Sequence, residues 1–409
     1  MIDEAKRSRA AKLAVLVAAL GYFVDIYDLI LFSIVRKPSL LGLGVPADQV
    51  LDKGVLLINM QMGGMLLGGI FWGILGDKRG RLSVLFGSIV LYSIANIANA
   101  FVPSVEAYAA TRFIAGVGLA GELGAGITLV SESLGKEARG YGTTIVATVG
   151  ITGAVVGALV AGLVKWQTSY LIGGGLGLAL LVLRIGVYES GMFEKVKAQS
   201  GVSRGNFLML FTSGRRAMRY LGVILVGVPI WYAVGVLVTF SPEIGGALGM
   251  KPVPEAAKSV MFCYIGLALG DFGSGALSQV MRSRKRILLG FLLLTCAAIG
   301  GYFTLGTSST FAFYAAVTVL GFATGYWAVF VTVASEQFGT NVRATATTTA
   351  PNFVRGAVVP LTLAFTALKP SLGVPGAAIA VGAVTMVLAL AALGALDETY
   401  GKDLEFLES

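Results

Sequence analysis

Two aspartates three residues apart lie inside an otherwise apolar run, Val24-Asp25-Ile26-Tyr27-Asp28. Residues three apart on a helix are neighbours on its surface, so the two carboxyls stand close together at one level. Two acids this near cannot both ionise cheaply in a low dielectric. Either one keeps a proton or a cation sits between them, which is the chemistry of a proton-binding site. The alternative is a buried ion pair with Arg112 that only fixes helix packing. A third acid, Glu122, stands in the middle of Thr111–Gly140, a mostly apolar stretch that opens with Arg112 and ends in Ser131-Glu132 and the basic Lys136 and Arg139. A helix rises about 1.5 Å per residue, so Arg112 and Glu132 lie roughly 30 Å apart, one bilayer core, with Glu122 near its middle. A lone carboxyl there costs at least about 2.5 kcal/mol. Gly116, Ala120 and Gly124 recur every fourth residue and give another helix a bare face to approach.

The second half of the chain carries its own buried polar set: Asp271, Asn352 and Arg355. Arg355 is a fixed cation whose planar fork suits a carboxylate or phosphate, with Asp271 available to neutralise it. Tyr27, Tyr232, Tyr264 and Tyr326, with Trp231 and Trp327, are candidates to line a cavity; aromatic residues in such runs also serve packing. Asn59, Gln61 and Asn96 are further polar candidates. The chain has no histidine, which removes a histidine-based metal site and a histidine general base. No Ser or Cys nucleophile stands with a plausible base, so an enzyme, a cofactor and a bound metal are not expected. Cys263 and Cys296 sit in apolar runs and read as core residues.

These residues are held by elements of one kind. Of 409 residues, 56% are hydrophobic and 13% charged, and the mean hydropathy is +0.82. That exceeds what a soluble domain of this length buries. Twelve apolar spans are legible, near 11–35, 52–76, 83–101, 105–134, 138–164, 168–188, 217–243, 256–281, 286–304, 308–338, 342–367 and 374–396. The longest polar connection divides the chain into 1–188, a linker at 189–216, and 217–409. With the N-terminus inside, the inner segments hold 21 Lys and Arg against seven in the outer ones. That asymmetry places both termini in the cytoplasm. The net charge of +9 is therefore topology, not a nucleic-acid footprint.

The chain also repeats itself. Thr128, Ser131, Glu132, Gly135, Arg139, Thr143 and Thr144 match Thr332, Ser335, Glu336, Gly339, Arg343, Thr347 and Thr348 at a constant offset of 204. Glu122 falls opposite Tyr326. Parallel repeats of this kind build transporters whose site lies between the two halves.

The loop Gly73…Asp77-Lys78-Arg79-Gly80-Arg81 resembles the inner-loop motif of the major facilitator superfamily, with Leu82 departing at its end. A shorter copy, Gly275 to Gln279 followed by Arg282, Arg284, Lys285 and Arg286, has Gln279 where the family carries an acid. Within the superfamily the chain is most similar to the metabolite:proton symporters. Asp25-Ile26-Tyr27-Asp28 is similar to their first-helix acid run, with Ile26 departing. Arg112, Gly116, Gly121 and Glu122 match their fourth-helix pattern, with Ala120 replacing a glycine. Glu189-Ser190-Gly191-Met192-Phe193 resembles their ending of the sixth helix, with Gly191 for proline.

The resemblance implies an all-α membrane protein of twelve helices in two pseudo-symmetric six-helix bundles, working by alternating access. It implies proton coupling through Asp25, Asp28, Arg112 and Glu122; from their positions on the spans we rank Asp28 first among the acids, then Asp25, then Glu122. Asp77, Arg81, Glu132, Arg139, Glu336 and Arg343 are the expected gating residues. Tyr27, Tyr232, Tyr264, Tyr326, Asn352 and Arg355 are the expected substrate contacts. The expected activity is proton symport of a small organic solute, an organic anion, by a monomer in the inner (plasma) membrane. A uniporter or exchanger on the same fold, and a non-transporting receptor, are the alternatives. Partners are the solute, protons and the lipid bilayer.

Overall fold

In a bilayer every backbone polar group must be satisfied within the protein, and a chain with this composition meets that demand with helices. The structure is a computed structural model. It describes residues 2–79, 81–122, 139–189 and 207–402, and at 2–14, 76–79, 81–83, 139–144, 186–189, 340, 341, 343 and 344 it describes the backbone alone. The helices are α1 (Ile2–Gly42), α2 (Val50–Arg79), α3 (Arg81–Asn99), α4 (Val105–Leu119), α5 (Arg139–Leu163), α6 (Trp166–Glu189), α7 (Gly214–Tyr232), the short α8 (Ser241–Ala247), α9 (Ala256–Val280), α10 (Arg284–Phe303), α11 (Thr310–Ala323), α12 (Trp327–Glu336), α13 (Thr340–Gly356) and α14 (Val358–Ala395). No strand occurs among the described residues. Nine segments among them are long and apolar enough to cross a membrane, and the longest, Thr345–Ala395, is broken by a kink at Gly373 with φ +69°. Large apolar side chains such as Leu163, Val280 and Phe311 point outward, as a lipid-facing surface requires.

Helices α1–α6 pack on one another, chiefly α1 on α5, α2 on α4, and α3 on α4 and α6. Helices α7–α14 form the second set, chiefly α9 on α11 and α7 on α14. The two sets meet where α5 lies on α9, α2 lies on α13 and α14, and α1 touches α9.

Glycine explains the tightest crossings and exposes the repeat. Gly64 and Gly68 of α2 face the carbonyls of Phe113 and Val117 on α4, and Gly116 of α4 faces the Gln61 carbonyl. In the second half Gly266 and Gly270 of α9 face the carbonyls of Thr318 and Phe322 on α11, and Gly321 faces the Cys263 carbonyl. A Cβ at any of these six would strike backbone, so the two crossings are one design used twice. Gly153 of α5 is pressed in the same way against the Phe23 carbonyl of α1, beside the acid pair.

Two spans that read as continuous are interrupted. Helix α4 ends at Leu119, and the Gly121 N–H bonds back to the Gly118 carbonyl. The run 308–338 is split into α11 and α12 by Thr324-Gly325-Tyr326. The two interruptions fall at Gly121 and Gly325, 204 residues apart. Side chains take up the freed carbonyls: Trp72 Nε1 donates to Val117 at 2.6 Å, and Thr295 Oγ1 to Ala323 at 3.0 Å. The seventh span has a further irregularity, a π-helical turn at Ala233–Val238.

Candidate functional site

Asp25 and Asp28 lie one turn apart on α1, both with no exposed surface. The α1–α5 crossing and the close pass of α6 wall them in; a Cβ at Gly173 of α6 would strike Asp28 Oδ1. Across the junction between the two sets, Arg355 of α13 places Nη2 3.8 Å from Asp25 Oδ2. The Arg355 guanidinium lies over the Trp231 ring of α7 at 5.9 Å and the Trp327 ring of α12 at 5.7 Å. Tyr22, one turn before Asp25, adjoins the same guanidinium, and Tyr264 of α9 stands beside it. All four oxygens of Asp25 and Asp28, and Nε and Nη1 of Arg355, are buried without a hydrogen bond. Leaving such groups unsatisfied costs about 1–3 kcal/mol each, more where charged. The arrangement therefore has acceptors for protons on one helix and donors for an anion on the facing one.

Arg112 of α4 is close to Asp28 but is not spent on it. Its Nη2 donates to Gln61 Oε1 and its Nη1 to Asn96 Oδ1 at 3.4 Å, with the guanidinium over the rings of Phe32 and Tyr170. Glu122 makes no hydrogen bond to either aspartate, though it lies within electrostatic reach of Asp25, beside Gly21 one turn earlier on α1. Arg184 of α6 holds it with two hydrogen bonds, Nη1 to Oε2 at 3.0 Å and Nη2 to Oε1, and Gly21 of α1 gives the pair room. These five buried charged residues of the first half thus form two arrangements: the aspartates with Arg112 nearby, and a closed Glu122–Arg184 pair.

Among the expected substrate contacts, Arg355 stands at the acid pair, and Tyr264 lies within electrostatic reach of Arg355 and Tyr22. The others are engaged between helices. Tyr27 donates to the Ser169 carbonyl at 3.0 Å, Tyr232 to Ala378 at 2.7 Å and Tyr326 to Val226 at 3.0 Å. Asn352 donates to the Ala120 carbonyl of the opposite set at 3.1 Å. Asp271 does not neutralise Arg355; it accepts from the Ala328 N–H at 2.7 Å. Of the expected gating residues, Glu336 lies 3.4 Å from Arg284 and accepts from Thr399 at 2.7 Å. The side chains of Asp77, Arg81, Glu132, Arg139 and Arg343 fall outside the described residues. An apolar groove of about 670 Å³ between α2, α3 and α4, lined by Phe71, Val90, Ile94 and Ile114 among others, holds none of these charges.

Tyr22 and Arg184 were absent from the expected set. Tyr22 is three residues before Asp25, the same spacing that drew Asp28 in, and helix geometry alone could have named it. Arg184 gave no such signal, because its partner lies 62 positions away.

The chain is similar to proteins whose assigned role is transport. The chain is 28% identical over 321 residues to a niacin transporter of Acinetobacter baylyi, covering 70% of this chain and 72% of the other. It is 28% identical over 338 residues to the 3-(3-hydroxy-phenyl)propionate transporter of Escherichia coli, covering 76% and 79%. These relatives are transporters of small organic solutes and not enzymes. The profile of the Major Facilitator Superfamily matches residues 18–360, and the chain belongs to that superfamily.

Proposed function

We propose that the chain is a proton symporter for a small organic anion, a planar carboxylate, with Arg355 as the anion's partner and Asp25 as the coupling acid. The observation that carries this reading is the Arg355–Asp25 approach of 3.8 Å between the two helix sets. A proton on Asp25 removes its claim on Arg355, and an anion on Arg355 makes a neutral Asp25 the better neighbour. Each ligand favours the other, and thermodynamic linkage requires that the preference be mutual. The indoles of Trp231 and Trp327 beside the guanidinium suit a flat ring attached to the carboxylate. The names of the relatives, which carry niacin and a hydroxyphenylpropionate, support the same class.

In this reading Asp25, rather than Asp28, comes first, because it is the acid that faces the other helix set. Asp28 with Arg112 is a second station for the proton. Glu122, closed on Arg184, holds helices together. The excess of Lys and Arg in the inner segments supports a cytoplasmic N-terminus, linker and C-terminus in a plasma-membrane protein. Proteoliposomes with niacin and 3-(3-hydroxyphenyl)propionate as probes test the proposal. An imposed inward proton gradient drives accumulation by the wild type. Asp25→Asn loses that accumulation and keeps counterflow. Facilitated equilibration without accumulation in the wild type would mean uniport or exchange. Gradient-driven accumulation by Asp25→Asn would remove Asp25 from the coupling.

A further inference from the structure

We infer that Asp271 is a positioning residue for the anion subsite: it clamps the interrupted tenth span and so holds Trp327 against Arg355. This rests on the reading of Arg355 as the anion's partner. The break at Thr324-Gly325-Tyr326 creates a new helix start inside the membrane, where the first N–H groups of α12 have no carbonyl behind them. Asp271 of α9 supplies the acceptor. It is 5% exposed, its Oδ1 takes the Ala328 N–H at 2.7 Å, and the adjoining Trp327 N–H lies close enough to act on the same carboxylate. A carboxylate there also meets the positive end of the helix dipole. A Cβ at Gly325 would strike the backbone of Gly270 and Asp271, so α9 meets the break directly. On α2, whose Gly64 and Gly68 match Gly266 and Gly270 of α9, the residue in the place of Asp271 is Gly69, so the clamp belongs to one half alone.

What the clamp sets is the first residue of α12. Trp327 packs on Phe330 with ring centres 5.2 Å apart and planes inclined by 41°, and its ring centre is 5.7 Å from the Arg355 guanidinium carbon. Trp327 Nε1, like Arg355 Nε and Nη1, is buried without a hydrogen-bond partner. An indole N–H and two guanidinium N–H groups in one neighbourhood form a donor set for an oxyanion. Asp271 touches no solute in this arrangement. It acts through the orientation of Trp327.

The test is counterflow by the full-length chain in proteoliposomes with niacin and 3-(3-hydroxyphenyl)propionate, reading KM and maximal rate separately. Asp271→Ala raises KM about tenfold, the worth of one well-placed hydrogen bond, with the maximal rate within about twofold. Asp271→Asn stays near wild type, because its amide oxygen accepts the same N–H. Trp327→Phe raises KM by a similar factor, and Asp271→Ala/Trp327→Phe is no worse than the poorer single variant. If Asp271→Ala does not survive purification, Asp271→Ser, whose oxygen stops short of Ala328, takes its place. A lower melting temperature with unmoved KM would reduce Asp271 to a helix cap and overturn the inference. So would additive effects in the double variant. Arg355→Lys separates the two levels. If it raises KM while Asp271→Ala does not, only the clamp falls; if neither moves KM, or the wild type shows no saturable counterflow with either probe, the anion subsite falls with it.

Discussion

Arg36 and Glu243 join the two helix sets at the end where α1 finishes. Arg36 has no exposed surface, and its Nη2 lies 2.7 Å from both Glu243 carboxylate oxygens. The same nitrogen donates to the Thr239 carbonyl at 3.3 Å, and the guanidinium lies 4.7 Å from the centre of the Phe240 ring. Asp52 and Lys369 pair at 2.6 Å at the same end, and Thr362 bonds Asn59 at 2.6 Å one step deeper. The two sets are therefore zipped from this end as far as Asn352 and Ala120. Trp231 and Glu243 lie on either side of the π-helical turn, so one irregular segment connects the Arg355 neighbourhood to this closure.

Breaking that pair should open this end. Hydrogen bonds to charged groups contribute about 1.5–3 kcal/mol, and removing one partner also strands the other charge. Glu243→Gln is expected to raise the labelling rate of Thr362→Cys by an impermeant maleimide at least about tenfold, in a chain lacking Cys263 and Cys296. The swap Arg36→Glu/Glu243→Arg should restore part of the protection. Unchanged labelling in Glu243→Gln would show that the other contacts hold the closure without it.

Arg355→Lys tests the shape of the cation, not its charge. Lysine keeps the charge but loses the planar fork and its stacking on Trp231 and Trp327. Affinity for a carboxylate probe should fall by about one to two orders of magnitude in equilibrium binding, on the order of 1.4–2.8 kcal/mol. Retained affinity would place the anion elsewhere.

How far the sequence could be read depends on the range of the interaction. The spans, the acid pair and Arg355 were legible because each rests on local hydropathy or helical spacing. The bare face at Gly116 on the fourth span was legible too, and Gly116 does face a neighbouring helix, at the Gln61 carbonyl. The break in the tenth span was hidden, because Thr324-Gly325-Tyr326 is short and its stabiliser, Asp271, lies more than fifty residues away. Asp271 was expected to neutralise Arg355, since both are buried charges of one half. Asp25 of the other half has that place, and no pattern within a half could show it. Arg36 is one of the seven outer cations in the sequence count, and nothing local marks it further, because its partner is 207 positions distant.

Glu122→Gln should cost stability more than coupling. Glu122 and Arg184 are 2% and 6% exposed, so losing the carboxylate leaves a guanidinium buried and uncompensated, a change of about 3–5 kcal/mol. The double variant Glu122→Leu/Arg184→Leu removes both charges and is expected to melt above Glu122→Gln in detergent. Gly21→Ala should destabilise as well, since its Cβ would intrude on both partners. If Glu122→Gln melts like wild type and loses gradient-driven accumulation, Glu122 belongs to the proton path after all.

The segment after α14 gives a pH-dependent contact outside the membrane spans. Glu398 is reached by Ser283 Oγ and by the N–H groups of Arg284, Lys285, Thr399 and Tyr400, fastening the chain end to the start of α10. Partial burial pushes its carboxyl up, but the bonds from Ser283, Tyr400, Arg284 and Lys285 outweigh that and bring it to about 2, against an ordinary 4.5. A carboxyl held below its unfolded value stabilises the fold above about 4.5, and that contribution fades as pH falls toward about 2. The site is largely solvent-exposed, so the effect is modest. Glu398→Ala is expected to lower the melting temperature in detergent by roughly one to two degrees at pH 7. The gap to wild type should hold down to about pH 5 and narrow below it, because wild type then loses what the variant already lacks. A gap that widens on acidification would mean that the carboxyl is not held in its charged form by these donors.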